Sequence, residues 1–378
     1  MAATDASARS GLRRLLARVW RCWRGLASLL FIGPAAQAAE LPADHAEALL
    51  HVYDGGGTRA IGPAVLVRKS LKDTVSLSGT LYVDMVSNAS IDVVTAASPY
   101  KERRTAVDLG LDYAYRDALL TLGLASSSEP DYRARALSVD VAQDFFGAMS
   151  TLKLGFTRGA DDVGKTGVAG VIDQATHWQY RLGLTQVLSP RWLASVNVEA
   201  LADNGLLGSP YRVARVFGAA VPERVPRTRS ARAVRLSTRG DVDRLGGVVK
   251  ADYRWYSDTW GLRAHTLELG HARQLKPGWT AEASLRLHRQ SAALFYSDDA
   301  ASETRYVSRN RQLGAFTSWG LGARTAWELP RASSDRRMAL NLSYEFKRYA
   351  YSNFTDLRTG QRYAQNAHIL QVHLSSDF

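Results

Sequence analysis

The sequence predicts an all-β fold: an antiparallel transmembrane β-barrel of 16 strands, with 14 strands as the alternative, short periplasmic turns and long exterior loops. Three features indicate it. The chain ends on an apolar strand, apolar and polar residues alternate along most of its length, and the connections alternate between short and long. The matching location is the outer membrane of a Gram-negative bacterium, where one face of each strand meets lipid.

The last strand carries an apolar row that continues to the end of the chain. Leu370, Val372 and Leu374 share one face of this strand, and Phe378 is the final residue. An apolar row closed by a terminal aromatic residue is typical of outer-membrane barrels. We therefore predict that these four residues form an assembly signal for the barrel-assembly machinery. A soluble β-domain whose edge strand ends in phenylalanine is the alternative.

The same alternation recurs upstream. Leu109 and Leu111 alternate with Asp108 and Asp112. A period of two indicates a strand, because successive side chains of a strand point to opposite faces. Similar rows occupy residues 75–83, 279–288 and 338–347. Such strands bury one face and hydrate the other.

Counting back from the C-terminus gives 14 strands that begin near Thr74, and two weaker segments, 48–54 and 61–69, bring the total to 16. Short turns separate the strands on one side, as at Arg116-Asp117 and Lys276-Pro277-Gly278. The longer segments between them are 86–103, 158–175, 202–230, 291–310 and 350–362. Short turns at one rim and long loops at the other are the arrangement of a barrel.

Residues 1–38 resemble a cleaved export signal. Six arginines precede a short apolar core at 25–32, and Ala36-Gln37-Ala38 supplies the small residues of a cleavage site. The apolar core is too short to span a membrane as a helix. Cleavage near Ala39 would leave one barrel domain, residues 39–378.

Composition narrows the possible partners. Removing residues 1–38 takes away six Arg and one Asp, so the formal net charge falls from +12 to +7. The remaining arginines are scattered along strands and loops, which argues against nucleic acid and favours contact with lipid and anionic lipopolysaccharide. Cys22 is the only cysteine and lies in the signal, so the mature chain has no thiol chemistry.

One motif suggests nucleotide binding but lacks the required context. Residues 159–166 fit the phosphate-binding pattern GxxxxGK[ST], yet glycine-rich Gly167-Val168-Ala169-Gly170 follows where a helix should begin. The histidines show no zinc-ligand spacing, since His265 and His271 lie about 20 Å apart along a strand. We therefore predict no catalytic, cofactor-binding or metal-binding residues, no cofactor and no enzymatic activity.

The polar rows of the predicted strands carry charges of both signs. These charges either brace the barrel as ion pairs or line a water-filled pore, and the sequence leaves both interpretations open. The predicted lumen-lining residues are Asp108, Asp112, Arg116, Lys250, Asp252, Arg254, Glu282, Arg286, Glu345 and Lys347.

Several segments resemble a family known as domain of unknown function 3570, whose members are regarded as outer-membrane barrels without an assigned activity. The similarity covers about residue 48 to the end. The segments that carry it are Ala97-Ser98-Pro99, Glu102-Arg103-Arg104, Ser209-Pro210-Tyr211-Arg212, Pro222-Glu223 with Pro226, the run from Tyr253 to Gly261, and His265-Thr266-Leu267-Glu268.

This resemblance implies the fold and, through genes encoded beside members of the family, implies periplasmic or lipoprotein partners linked to envelope redox proteins. In the motif loops, Arg103, Arg104 and Arg212 offer forked donors that would pin loops to carboxylates in the lumen, and simple loop rigidity is the alternative. The leading hypothesis is a channel or transport component for small polar solutes. The alternatives are a non-conducting scaffold that docks such partners and, less favoured, a hydrolase.

Overall fold

The computed structural model describes residues 40–88, 100–330 and 337–378. Sixteen antiparallel strands close into one barrel, in which the first strand pairs with the last. The predicted strand number and fold class are thereby confirmed. The predicted signal, residues 1–38, lies outside the described residues.

The strands, numbered along the chain, include a separate two-stranded hairpin formed by β10 and β11. They are β1 His45–Gly55, β2 Thr58–Lys72, β3 Val75–Asn88, β4 Tyr100–Tyr115, β5 Ala118–Ser128, β6 Tyr132–Phe145, β7 Ser150–Lys165, β8 Val168–Ser189, β9 Trp192–Gly205, β10 Val213–Val216, β11 Ala219–Pro222, β12 Thr228–Val242, β13 Gly247–Asp258, β14 Arg263–Lys276, β15 Trp279–Gln290, β16 Phe316–Glu328, β17 Arg337–Thr355 and β18 Arg362–Asp377.

Two short 3₁₀ helices, Asp243–Leu245 and Arg311–Leu313, interrupt the connections. No helix among the described residues is long and apolar enough to cross a membrane.

The two rims of the barrel differ in their connections. At the turn rim, where β1 begins opposite the end of β18, short turns join the strands, for example at residues 116–117 and 277–278. At the opposite rim, which we call the mouth, two long connections stand out, residues 206–227 and 291–315. We call these two segments the mouth loops.

Two of the predicted long loops are largely strand. Within 158–175, β7 continues to Lys165 and β8 begins at Val168, so a two-residue turn replaces the loop. Gly167, with φ +85°, supplies the left-handed conformation that this turn needs. Within 350–362, β17 continues to Thr355. Glycine and polar residues in these segments resembled loop composition, but backbone pairing with the neighbouring strand keeps them extended.

The two faces of the wall follow the sequence pattern. Leu109 is 55% exposed and Leu111 is 36% exposed. Asp112, the residue that follows Leu111, points to the other face and is only 3% exposed. Large apolar side chains therefore lie on the outer surface. The polar rows lie on the concave face, toward which every second side chain of each strand points.

The hydrophobic core lies at the mouth. Three apolar clusters are built mainly from the mouth loops and adjacent strand ends. Trp260 and Leu313 belong to one cluster, Phe354 to the second and Val307 to the third. Short bridges join the two mouth loops, as between Val216 and Ala300. The mouth loops are thus packed structures attached to the wall.

The C-terminus belongs to the seam that closes the barrel. The Phe378 amide donates to the Asp44 carbonyl at 3.2 Å, and the Lys69 ammonium lies 5.1 Å from the Phe378 ring centroid. Asp44 also pairs with Lys69 at 2.5 Å. Hydrogen bonds from Lys69 and Ser70 lower the pKa of Asp44 to about 2. Phe378 therefore contacts the same group of residues that joins the first and second strands.

Deleting Phe378 is expected to lower the amount of folded barrel without changing synthesis, because it removes the end of the outward row formed with Leu370, Val372 and Leu374. Heat-modifiable mobility of the membrane fraction measures folding, and pulse labelling measures synthesis. Phe378→Tyr, which keeps an aromatic terminus, serves as the matched control. Equal folded levels in the deletion and the control would contradict the predicted assembly signal.

Candidate functional site

The concave wall of the barrel carries a ladder of ion pairs. Lys250 on β13 and Glu282 on β15 approach to 2.7 Å across the intervening β14, at Gly270. On β17, Lys347 and Glu345 pair at 2.9 Å. Glycine between the first pair leaves room for the two side chains to meet. All four of these residues belong to the set predicted to line the lumen, and the structure places them on one face.

Three more residues of that set pair with side chains that were not predicted to line the lumen. Asp252 pairs with Arg235 at 2.7 Å, Arg254 with Glu199 at 3.7 Å, and Arg286 with Glu268 at 3.4 Å. The partners lie on neighbouring or next-neighbouring strands, so only the strand register reveals them.

The three predicted residues on β4 and its turn have different surroundings. Asp112 is buried and pairs with Arg68, and it also accepts from Thr121 at 2.6 Å. Asp108 is exposed on the same face. Arg116 is a correction: it lies in the turn with φ +53°, its guanidinium 5.3 Å from the ring centroid of outward-facing Tyr115. The turn therefore places Arg116 outside the concave face of the barrel wall.

Water reaches the ladder. The side chains of Arg286 and Glu268 are 43% and 44% exposed, and those of Arg181 and Asp140, paired at 2.9 Å, are 29% and 41% exposed. Exposure at this level on the concave face means that solvent-accessible space adjoins the charges. The pairs are therefore hydrated and only weakly stabilising.

Two cavities that share lining residues lie between the mouth loops and the wall. The larger, the mouth cavity, has a volume of about 970 Å³, and the smaller has a volume of about 450 Å³. Arg212, Arg229 and Trp260 line both. The smaller cavity also reaches Arg254, which belongs to the ladder. A continuous series of lining residues therefore links the mouth to the concave wall.

One side of the mouth cavity holds a hydrogen-bonded chain across four strands. The His177 ring nitrogens lie 2.9 Å from Asp203 and 2.8 Å from Asp161, and Asp161 also accepts from the Tyr132 hydroxyl. An imidazole that faces a carboxylate from each nitrogen uses both nitrogens as donors, which favours the doubly protonated cation. Because it contains two carboxylates and one imidazolium, this hydrogen-bonded group of side chains has a net negative charge.

Three further carboxylates extend this acidic side. Burial raises the pKa of Glu129 in the β5–β6 loop, the charge of Arg104 opposes that rise, and Asp131 adds to it. Arg104 lies 3.9 Å from Glu129. Glu102 is half-buried and makes no side-chain hydrogen bond or ion pair with another described residue. We call Glu102, Glu129, Asp131, Asp161 and Asp203 the acidic side.

Of the motif arginines expected to pin loops, Arg104 alone contacts a carboxylate, that of Glu129. Arg103 is exposed on the outer face of β4, and Arg212 makes no ion pair with a described residue. Tyr211 is the residue that pins its loop: its hydroxyl donates to Asp131 and accepts from the Thr166 amide at 2.6 Å. Tyr211 thereby fixes the neighbouring Arg212 at the edge of the mouth cavity. The motif segment at residues 97–99 lies outside the described residues.

The longest matched segment, Tyr253 to Gly261, builds a buried carboxylate centre. The Asp258 side chain is fully buried and pairs with Arg229 at 2.6 Å. It also accepts from the Tyr256 hydroxyl at 2.9 Å and from the Trp260 and Leu262 amides at 3.0 Å. Asp258 therefore holds the strand end and the backbone of the following turn, while the indole of Trp260 donates to the Thr228 carbonyl at 2.9 Å.

The phosphate-binding pattern has no phosphate-binding geometry. Residues 159–165 lie within β7, and the chain turns directly into β8 without a helix whose N-terminus could face an anion. His265 faces outward beside Tyr253 and Glu268 faces inward toward Arg286, so the two do not converge. Within the described residues, no group of three or more His, Cys, Asp or Glu is arranged to hold a metal ion.

Sequence reasoning missed His177, Asp161, Asp203 and the role of Arg212. The alternation does place His177 in the inward row of β8 with Gln179 and Arg181. Its partners could not be assigned from sequence, because Asp161 lies in the segment 158–175 and Asp203 in the segment 202–230, both of which have the composition of long loops.

This chain is similar to several solved bacterial proteins. A bacterial polysaccharide outer membrane secretin has a TM-score of 0.49 and 10% identity, over 89% of this chain and 100% of that chain. CdiB from Acinetobacter baumannii has a TM-score of 0.47 and 8% identity, over 87% of this chain and 60% of that chain. The outer membrane protein opdK from Pseudomonas aeruginosa has a TM-score of 0.42 and 10% identity, over 89% and 100%. No curated protein sequence matches this chain.

The family comparison is more specific. The model of the family described as Protein of unknown function (DUF3570) matches residues 34–369, which include both mouth loops and almost the whole barrel. The similarity of the motif segments to this family is thereby confirmed, and this chain, a closed antiparallel β-barrel, belongs to the DUF3570 family.

Proposed function

We propose that this protein is a channel of the Gram-negative outer membrane that passes small polar solutes. The observation that carries the proposal is the hydrated ladder of ion pairs on the concave wall, joined to the mouth through two cavities that share lining residues. A tightly packed lumen would hide these side chains from water. The apolar outer rows would contact lipid, and the outer rim would contact lipopolysaccharide.

Paired charges on the wall favour permeation of a polar solute over tight binding of that solute. A lone buried charge binds a counter-ion strongly, whereas a paired and hydrated one offers weak, replaceable contacts to a polar solute. Pairs such as Lys250–Glu282 and Arg254–Glu199 present both signs along the path. The pore-lining role assigned to this ladder remains a prediction.

A scaffold that conducts nothing is the second candidate, and the packed mouth loops favour it. Val307 is 1% exposed and Phe354 is 0% exposed, so the loop clusters are ordered enough to close part of the mouth. Such a barrel would dock periplasmic or lipoprotein partners at its turn rim. No catalytic step is proposed for either candidate.

Charge reversal on the ladder tests the channel directly. Lys250→Glu, Arg254→Glu, Arg286→Glu and Lys347→Glu together are expected to move ion selectivity toward cations, because they reverse the sign of four lining charges. Planar-bilayer recordings of the refolded protein measure it. The shift should weaken near 1 M salt, where the screening length is about 3 Å.

A matched control restores each ion pair with the positions of its positive and negative charges exchanged. It adds Glu282→Lys, Glu199→Lys, Glu268→Lys and Glu345→Lys to the four reversals. This swapped variant should recover wild-type selectivity, since net charge and pairing return. A silent wild type would favour the scaffold, and unchanged selectivity in an open four-fold variant would show that other residues line the path.

A further inference from the structure

The mouth cavity is lined by side chains of both charges, with carboxylates such as Glu102 and Asp131 and with Arg212. We propose that it binds zwitterionic solutes of the size of an amino acid or a short peptide, with the ammonium group on the acidic side and the carboxylate at Arg212. This inference rests on the proposed channel and names the class of solute that it would admit.

The acidic side has more negative charge than its cations neutralise. Asp161 and Asp203 share the single imidazolium of His177 as their cationic partner. Arg104 offsets Glu129 at 3.9 Å, Asp131 has a tyrosine hydroxyl as its donor, and Glu102 makes no ion pair with a described residue. Carboxylates therefore outnumber the cations that pair with them here, which attracts a cationic group, and an ammonium with three donors matches such carboxylates.

Arg212 differs from the other arginines that line the cavity. Arg215, Arg229 and Arg309 each pair with an aspartate, at 3.7, 2.6 and 2.9 Å respectively. The Arg311 guanidinium lies 5.8 Å from the Tyr363 ring centroid. Arg212 is exposed and makes no side-chain hydrogen bond or ion pair with another described residue. Its planar guanidinium can receive a carboxylate with two parallel hydrogen bonds.

The size and the continuation of the cavity fit a small dipolar solute. About 970 Å³ lies within the range of sites that enclose small ligands. Arg212 lines both cavities, and the smaller one leads to Arg254, whose contact with Glu199 is loose at 3.7 Å. A carboxylate that leaves Arg212 would next meet Arg254. The order of these arginines gives the solute a direction into the barrel.

A solute with a single charge fits the cavity less well. An anion bound at Arg212 would face the uncompensated carboxylates of the acidic side, and a cation bound at those carboxylates would leave Arg212 unmatched. Specificity would therefore require that the solute pair with both the carboxylates of the acidic side and Arg212, so that neither group repels it or stays without a partner. The acidic side and Arg212 act together only on a molecule that carries both charges.

Binding can be measured without conduction. Isothermal titration calorimetry at pH 7, with the full-length barrel folded in detergent, would use glycylglycine as the zwitterion. Glycinamide supplies only the cationic end and N-acetylglycine supplies only the anionic end. The variants are Arg212→Gln and Glu102→Gln, with Arg103→Gln as a control on the outer face. Heat-modifiable mobility confirms that each variant is folded.

Glycylglycine is expected to bind the wild type about tenfold more tightly than either analogue, as the loss of one charged hydrogen-bonding group implies. Arg212→Gln should weaken glycylglycine binding about tenfold and leave glycinamide binding unchanged. Glu102→Gln should weaken glycylglycine binding and leave N-acetylglycine binding unchanged. Arg103→Gln should change nothing.

No glycylglycine binding by the folded wild type, equal affinities for the three compounds, or equal weakening by Arg103→Gln and Arg212→Gln would each overturn the inference. Because calorimetry needs no open pore, a silent channel that still binds glycylglycine would refute the proposed conduction alone. A conducting channel without binding would refute the zwitterion site alone.

Discussion

Replacing Asp258 with alanine is expected to loosen both mouth loops while the barrel stays folded. The Asp258 side chain is fully buried and pairs with Arg229, whose side chain is 26% exposed. Breaking a buried pair by removing one partner costs about 3–5 kcal/mol, and the partial exposure of Arg229 places the expected loss near the lower end. The freed amides of Trp260 and Leu262 would also lose their acceptor.

Limited trypsin digestion followed by mass spectrometry measures this loosening, because both mouth loops contain arginines and cleavage there requires the backbone around them to unfold locally. New cleavage is expected within 206–227 and 291–315 in Asp258→Ala. Asp299→Ala is the matched control: Asp299 is 46% exposed, lies 3.7 Å from Arg215 and accepts one exposed hydrogen bond from the Gly218 amide at 2.9 Å, so its removal should cost only about 1 kcal/mol. Equal protection of the loops in Asp258→Ala and wild type would contradict the assigned role of Asp258.

Conductance adds a second readout for the same variant. If the packed mouth loops narrow the path, their release in Asp258→Ala should raise single-channel conductance, whereas Asp299→Ala should leave it unchanged. The folded barrel should keep its heat-modifiable mobility in both variants, since the ladder of the wall lies outside the Asp258 centre.

The sequence predicted the barrel well because strand alternation is a local signal. Each inward or outward assignment on β4, from Val107 to Asp112, depends on neighbouring residues alone. The two interpretations of the inward charges as braces or as pore lining could not be separated in this way. Lys250 meets Glu282 only because β14 brings their strands into register, with Gly270 between them.

The mouth was harder to predict, because its structure depends on contacts between distant segments. Ser308 donates to Glu223 and Tyr211 donates to Asp131, contacts between residues that are far apart in the chain. The motif segments indicated where such contacts would form without indicating the partners. Arg212, expected to pin its loop, is held in place by its neighbour Tyr211, and its exposed guanidinium makes no ion pair with a described residue.

Replacing Leu109 with arginine is expected to reduce barrel stability by about 2–4 kcal/mol, the cost of an arginine near the bilayer midplane on the lipid face of a barrel. Leu109 is 55% exposed on the outer face and lies opposite Gly79 on β3 and Leu124 on β5, so its neighbours offer no polar partner. Leu109→Ala keeps the surface apolar and should cost much less. Urea titration of the barrel folded in lipid vesicles measures the difference.

Two variants of the same strand test the assignment of faces and depth. Asp108→Lys should be tolerated, because Asp108 is exposed on the concave side, one residue from Leu109. Tyr115→Arg should cost only about 0–1 kcal/mol, since Tyr115 ends β4 at the turn rim, where an arginine side chain reaches the interface. A stable Leu109→Arg barrel together with a failed Asp108→Lys barrel would mean that the two faces of the wall are exchanged. Because a shift of one residue moves every side chain of a strand to the other face, that result would also reassign the whole ladder.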